Sequence, residues 1–279
     1  MQIEEALAMF TLQLEADGRS IHTRLQYERH VRAFARWHAG SIVSVTHEVL
    51  ARFLVSPEAR LRPDGRPKKA SAANALRSSL RGFFSYLSAS GVLERDPSRL
   101  IRRARCGPPP PRTLSPEDQQ RLLTVLRVVE GGRDFALFHL LLGAGLRVGS
   151  ALALEVRDVD LDHGEIHVRR AKGDRPVVTV LPRDVCDQLR AYLAGRTEGA
   201  LFPGMSTRHA NRRLKYWLGK AGIQASASPH VLRHSFAMRI YAKTGDLLLT
   251  QAALGHASIA STTVYARCDR ERLRAVLGA

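Results

Sequence analysis

The sequence has no close-set pair of cysteines. Its three, Cys106, Cys186 and Cys268, are scattered over 279 residues. That argues against a zinc site built on C-x-x-C and against a disulfide framework, and it suits a reducing cytoplasm. A long apolar run is also missing. Residues 135–146 are apolar but reach only about half of the ~20 residues that a membrane-spanning helix needs. The uncharged stretch 247–266 is interrupted by Thr, Gln, His and Ser. The opening M-Q-I-E-E-A-L does not read as a signal peptide. No membrane segment is therefore expected. No internal repeat or low-complexity segment is visible beyond one run of prolines.

Acidic residues are scarce relative to basic ones: 26 Asp and Glu face 43 Lys and Arg, a formal net charge of +17. The excess is +9 up to Arg112 and +8 beyond it, so it is not a tail. Such a distribution fits a chain that grips a polyanion with two surfaces.

Residues 1–105 read as an all-helical unit. Ile3, Leu7, Phe10 and Leu14 form a helical stripe that Gly18 ends. Tyr27, Val31 and Phe34 mark a second helix, with Arg24, Arg29, Arg32 and Arg36 around its other faces. Thr46 caps a third, whose inner face is Val49, Leu50, Phe53 and Leu54. A basic loop rich in Pro and Gly follows, and then a helix over 71–90 with Leu76, Leu80, Phe83 and Leu87 inward. Loop and helix set Arg66, Lys68, Lys69, Arg77 and Arg81 side by side, which suggests contact with a phosphate backbone, positioning it without reading sequence.

Residues 106–112 read as a linker. Four consecutive prolines, Pro108 to Pro111, favour a stiff extended spacer. Arg103 and Arg112 lie beside it as further phosphate-contact candidates.

Residues 113–279 read as an α+β unit. Ser115-Pro116-Glu117-Asp118 has the cap, proline and acids of a helix start. Residues 134–143 are an apolar core helix. Arg147 then emerges between apolar runs in Gly145-Leu146-Arg147-Val148-Gly149-Ser150. It needs an acceptor, either a ligand phosphate or an acid such as Asp158. From 156 to 181 the period becomes two, with turn signals at Asp162-His163-Gly164 and Lys172-Gly173-Asp174, so a small antiparallel sheet is expected. Lys172 falls at or near a hairpin tip, with Arg169, Arg170 and Arg175 as backbone-contact candidates. Amphipathic helices are expected over 182–193 and 207–219, the second carrying Arg212.

Residues 228–267 hold the densest chemistry. Ser228-Pro229 reads as a helix start, which puts His230 and Arg233 on one face of the first turns, where free N–H groups favour an anion. Leu254-Gly255-His256 reads as a helix end, and Tyr265 follows. A hydroxyl nucleophile thus comes after groups able to hold negative charge and move protons.

The sequence His230-x-x-Arg233-His234, Leu254-Gly255-His256 and Tyr265, with the box around Arg147, resembles the tyrosine recombinases, the phage integrase and Xer-like group. The resemblance implies a mainly α protein: an all-α core-binding domain and an α+β catalytic domain with a small antiparallel sheet, closing on DNA as a C-shaped clamp. It implies that Arg147 and Arg233 bind the scissile phosphate, that Tyr265 is the nucleophile of a 3′-phosphotyrosine link, and that Lys172 protonates the leaving 5′-oxygen. His230 would assist proton removal from Tyr265 or hold an oxygen, His256 would donate to the phosphate, and His234 would be structural. Two guanidiniums and a lysine supply the charge, so neither a metal nor another cofactor is expected. The implied partners are double-stranded recombination sites, a homotetramer built as a dimer of dimers around a Holliday junction, and a possible second recombinase or accessory protein. The implied place is the cytoplasm, at the nucleoid. A type IB topoisomerase-like enzyme and a non-catalytic DNA-binding regulator stand as alternatives. One departure is that Ser150 occupies the place, three after the first arginine, where the family often has an acid.

Overall fold

The computed structural model describes residues 1–104, 112–128, 132–169, 177–224 and 228–255. The chain divides into two compact units, Met1–Gly107 and Pro108–Ala279.

The first unit is helical: α1 Ile3–Ala16, α2 Ile21–Trp37, α3 His47–Val55, α4 Pro57–Arg60 and α5 Ala70–Ala89. Its core is aromatic. Phe10, Phe34, Phe53, Phe83 and Phe84 are buried and meet mostly edge to face, as Phe34 and Phe84 do at 5.8 Å. The apolar stripes of α1, α2 and α3 point into this core as their spacing predicts. Thr46 caps α3 by accepting from the Val49 N–H. The segment expected as loop at Pro57 instead opens with one helical turn, because Ser56 caps it and proline suits the first helical position. The basic loop after it is closed by a bridge between Leu61 and Pro67. Asn74 of α5 donates to the Ala104 carbonyl and accepts from its N–H, holding the outgoing chain against the helix.

The second unit contains α6 Pro116–Val128, α7 Gly132–Ala144, α8 Val148–Leu152, β1 Val159–Asp160, β2 Glu165–Val168, β3 Val177–Val180, α9 Arg183–Leu193, α10 Thr207–Lys220, α11 His230–Thr244 and α12 Leu247–Leu254. Helix α7 is apolar on every face and buried from Asp134 to Ala144, as a central core helix must be. Its buried polar exceptions are His139 and, near its start, Asp134. Asp134 accepts from Arg213 Nε at 2.5 Å and Trp217 Nε1 at 2.7 Å, which fixes α10 against the start of α7. The three strands form one antiparallel sheet in the order β1-β2-β3, with Ile166 opposite Thr179 and Val168 opposite Val177.

The folds expected of both halves are present: helices alone in the first, helices with a small antiparallel sheet in the second. Among the described residues, no helix is long and apolar enough to cross a membrane.

Candidate active site

The site begins where α7 ends. Gly145 adopts φ +62°, and a Cβ there would lie 2.2 Å from a ring carbon of Phe236 in α11. Only glycine allows both the left-handed turn and the close approach. The chain then reverses into α8, and Arg147 is its N-cap residue, half-buried. Arg147 forms no ion pair with a described residue. Asp158, the acid offered above as its partner, instead pairs with Arg169 at 2.5 Å and accepts from the Glu155 N–H. Arg169 is thereby paired with a buried acid at the end of β2.

Arg233 comes from the first turn of α11 and is 5 % exposed. Its guanidinium donates to the Gly145 carbonyl and, at 2.8 Å, to the Leu254 carbonyl at the end of α12. Both bonds orient it: one runs to the turn that carries Arg147, the other to the helix end before His256. Gly255 closes α12 in the left-handed conformation, with its Cα side 3.3 Å from Val177 of β3 for any added Cβ. One pocket results, lined among others by Arg147, Ser150, Val177, Thr179, Arg233 and Gly255. Among the described residues, no carboxylate lines it. Guanidiniums and hydroxyls gathered in one pocket suit an anionic ligand with several oxygens.

His230 stands at the exposed start of α11. Its pKa is lowered by desolvation first, then by the charges of Arg233 and Arg147. The imidazole is therefore neutral at pH 7 and able to accept a proton. His234, one turn on, is lowered by burial and then by His230 and Arg233. The cap differs from expectation. Pro229 occupies the N-cap position, and Ser228 contributes its carbonyl, which accepts from the Val231 N–H, rather than its hydroxyl. The helix is anchored further along by Ser235, whose buried hydroxyl accepts from the Leu114 N–H and donates to Val231. Gln119 donates to the Leu114 carbonyl and accepts from Arg239, which also donates to Leu142 of α7.

Lys172, His256 and Tyr265 lie outside the described residues, as do Arg170 and Arg175, the proline run and the chain beyond Gly255. Of the six residues read as catalytic, the described Arg147, His230 and Arg233 are brought together.

In the first unit, Arg66, Lys69 and Arg81 are exposed, as is Arg103. Arg77 and Lys68 line a shared pocket with Arg60. The Lys68 ammonium donates to the Glu58 carbonyl, and burial and then Arg29 lower its pKa. Arg112 and Arg212 of the second unit are exposed. A second basic group lies outside the phosphate-contact candidates named above. Arg29 and Arg36 of α2 and Arg62 of the loop line one groove with His30 and Lys68, where the acid is Glu58. None of the three forms an ion pair with a described acid. Arg24 and Arg32, by contrast, pair with Glu15 and with Glu28 and Glu4. The spacing Glu28 to Arg32, four apart on one helix, was the available signal for telling paired from unpaired arginines.

Comparison with known proteins agrees with this geometry. Residues 112–272 match the phage integrase family, and residues 7–91 match the phage integrase N-terminal SAM-like domain. The chain is 32 % identical to the tyrosine recombinase XerA of Thermococcus kodakarensis, over 97 % of this chain and 93 % of that one. It is also 32 % identical to the tyrosine recombinase XerD of Ralstonia nicotianae, over 92 % and 87 %. Among solved structures, the XerH site-specific recombinase bound to palindromic difH substrate shares the fold with TM-score 0.75 at 22 % identity, covering 96 % of this chain and 84 % of that one.

Proposed function

The chain belongs to the phage integrase family, the tyrosine recombinases, and carries out site-specific DNA breakage and rejoining; from that premise we propose that Tyr265 attacks a phosphodiester held by Arg147 and Arg233. The observation that carries this is the pocket in which both guanidiniums meet, with no carboxylate among its described lining residues. Negative charge that builds on the non-bridging oxygens during in-line attack is stabilised there by groups fixed beforehand.

The phenolic oxygen of Tyr265 forms a bond to phosphorus, and the bond to the 5′-oxygen breaks. His230 accepts the tyrosine proton, a role its neutral imidazole suits. Lys172 gives a proton to the leaving 5′-oxygen. His256 donates to a non-bridging oxygen. The phosphotyrosine keeps the energy of the broken bond, so attack by the 5′-hydroxyl of a second strand reverses the step. Residues 1–105 and the linker 106–112 position the duplex, and residues 113–279 perform the chemistry. The active assembly is a dimer of dimers on two sites with a Holliday-junction intermediate, acting in the cytoplasm at the nucleoid, with room for a second recombinase or accessory protein. The named relatives are recombinases, so the topoisomerase-like and regulator readings are not favoured.

The test is covalent trapping. Nicked DNA from the region flanking the gene is incubated with wild type and with Tyr265→Phe, then resolved on a denaturing gel. A protein–DNA adduct in wild type alone supports the assignment. An adduct that persists in Tyr265→Phe overturns it.

A further inference from the structure

Strand β3 reads Val177-Val178-Thr179-Val180, and its alternation runs against burial. Residues 177 and 179 face the interior, and 178 and 180 face outward, as the pairing of Thr179 with buried Ile166 requires. Thr179 is therefore 8 % exposed, while Val178 and Val180 are 53 % and 71 % exposed. A four-residue strand chosen for burial alone would place the valines inside and the threonine outside. Local rules of this kind are broken most often where function overrides packing.

The buried threonine lines the arginine pocket, with Ser150 of α8. No hydrogen bond joins its hydroxyl to another described residue. The hydroxyl is not among the described buried polar atoms that lack a partner, so it is within reach of whatever enters the pocket it lines. The other donors also point this way. Arg233 directs two of its amino groups to the Gly145 and Leu254 carbonyls, so those two donors are committed to the backbone.

We propose that Thr179 is a further catalytic residue, whose hydroxyl donates a hydrogen bond to a non-bridging oxygen of the phosphate held by Arg147 and Arg233. This rests on the reading that the pocket holds the scissile phosphate. It also explains how a pocket with serine at position 150 is furnished: by neutral donors on two elements.

The experiment is single-turnover cleavage of a nicked site by wild type, Thr179→Val and Thr179→Ser. Each is tested on the ordinary phosphodiester and on both phosphorothioate diastereomers, in which sulfur replaces one non-bridging oxygen. Valine keeps the branched shape, so the melting temperature of Thr179→Val should stay at or above the wild-type value. Its cleavage of the phosphodiester should fall about tenfold or more, and Thr179→Ser should recover most of that loss. With one diastereomer, the one whose sulfur faces residue 179, wild type and Thr179→Val should cleave at closely similar rates. Equal rates on the phosphodiester overturn the proposal, as does failure of serine to restore activity. So does a loss of the same size on all three substrates, which is what a purely structural role gives. If wild type itself forms no Tyr265-dependent adduct, the reading of the pocket falls and this proposal with it. If wild type cleaves and Thr179→Val cleaves equally well, only this proposal falls.

Discussion

The guanidinium of Arg233 is hydrogen-bonded to the backbone carbonyl of Gly145, 88 positions earlier in the chain. The same side chain reaches the carbonyl of Leu254. Three segments are thus set by one residue: the turn before Arg147, the start of α11 and the end of α12. Arg233→Lys has a single ammonium and cannot reproduce that fork. Cleavage should fall about a hundredfold or more, and the melting temperature should drop because a buried carbonyl loses its donor. An unchanged melting curve would show that the two backbone bonds do not hold the site together.

Gly145→Ala meets two penalties at once, the left-handed backbone at φ +62° and the Phe236 ring 2.2 Å from the new Cβ. A loss of about 3 kcal/mol is expected in denaturant unfolding. Gly149→Ala is the control, since nothing lies within 4 Å of a Cβ there. Its stability should be equal to wild type or slightly higher.

Asp134 is buried and accepts from both Arg213 and Trp217. Asp134→Asn keeps an oxygen for the indole but leaves the guanidinium without its counter-charge. Arg213 retains some solvent contact, with a third of its side chain exposed, so the expected loss is about 2–3 kcal/mol rather than more. Urea unfolding measures it, and a loss below about 0.5 kcal/mol would mean that solvent satisfies Arg213 in full.

Arg29 and Arg36 share a groove and pair with no described acid, whereas Arg32 of the same helix is paired with two glutamates. If the groove takes DNA phosphates, Arg29→Gln with Arg36→Gln should weaken binding. The salt dependence of log K should become shallower by about 0.9 for each lost contact. Arg32→Gln should leave that slope unchanged. Equal slopes for the double variant and wild type would remove the groove from the DNA-binding surface.

His30 shares a hydrogen bond of 2.8 Å with Ser79 and has its pKa lowered to about 4 by burial, then by Arg29 and Lys68. The unfolded chain, with an ordinary histidine near 6.5, therefore binds a proton first as pH falls. Stability contributed by neutral His30 is complete above about pH 6.5 and is lost progressively down to about pH 4. Discounted for partial exposure, the loss is about 1–2 kcal/mol. His30→Gln should unfold with a shallower pH dependence in that window. A slope identical to wild type would assign the acid sensitivity to other groups.

The order of elements could be read from the chain because its signals are local. Ile3, Leu7, Phe10 and Leu14 mark α1 by their period, and Asp162-His163-Gly164 marks the turn between β1 and β2. The boxes around Arg147 and Arg233 were legible because residue type and spacing together carry their chemistry. Partner choice was not legible. Asp158 could have served Arg147 or Arg169, and sequence distance does not decide between them; the end of β2 does, by delivering Arg169 to it. Arg32 of α2 was partly legible from Glu28 four residues before it, whereas the pairing of Arg24 with Glu15 of α1 depends on which neighbouring element faces it. Thr179 is the clearest case. Its composition says nothing, because V-V-T-V fits either register. A one-residue shift in strand pairing exchanges the faces, so only the ladder that sets Thr179 opposite Ile166 decides that the hydroxyl lies in the arginine pocket. Sequence alone determined the helices, the sheet and the kinds of groups available for phosphate chemistry. Tertiary structure decided which of those groups are held by other protein atoms and which are left for a ligand, because that depends on contacts between residues far apart in the chain.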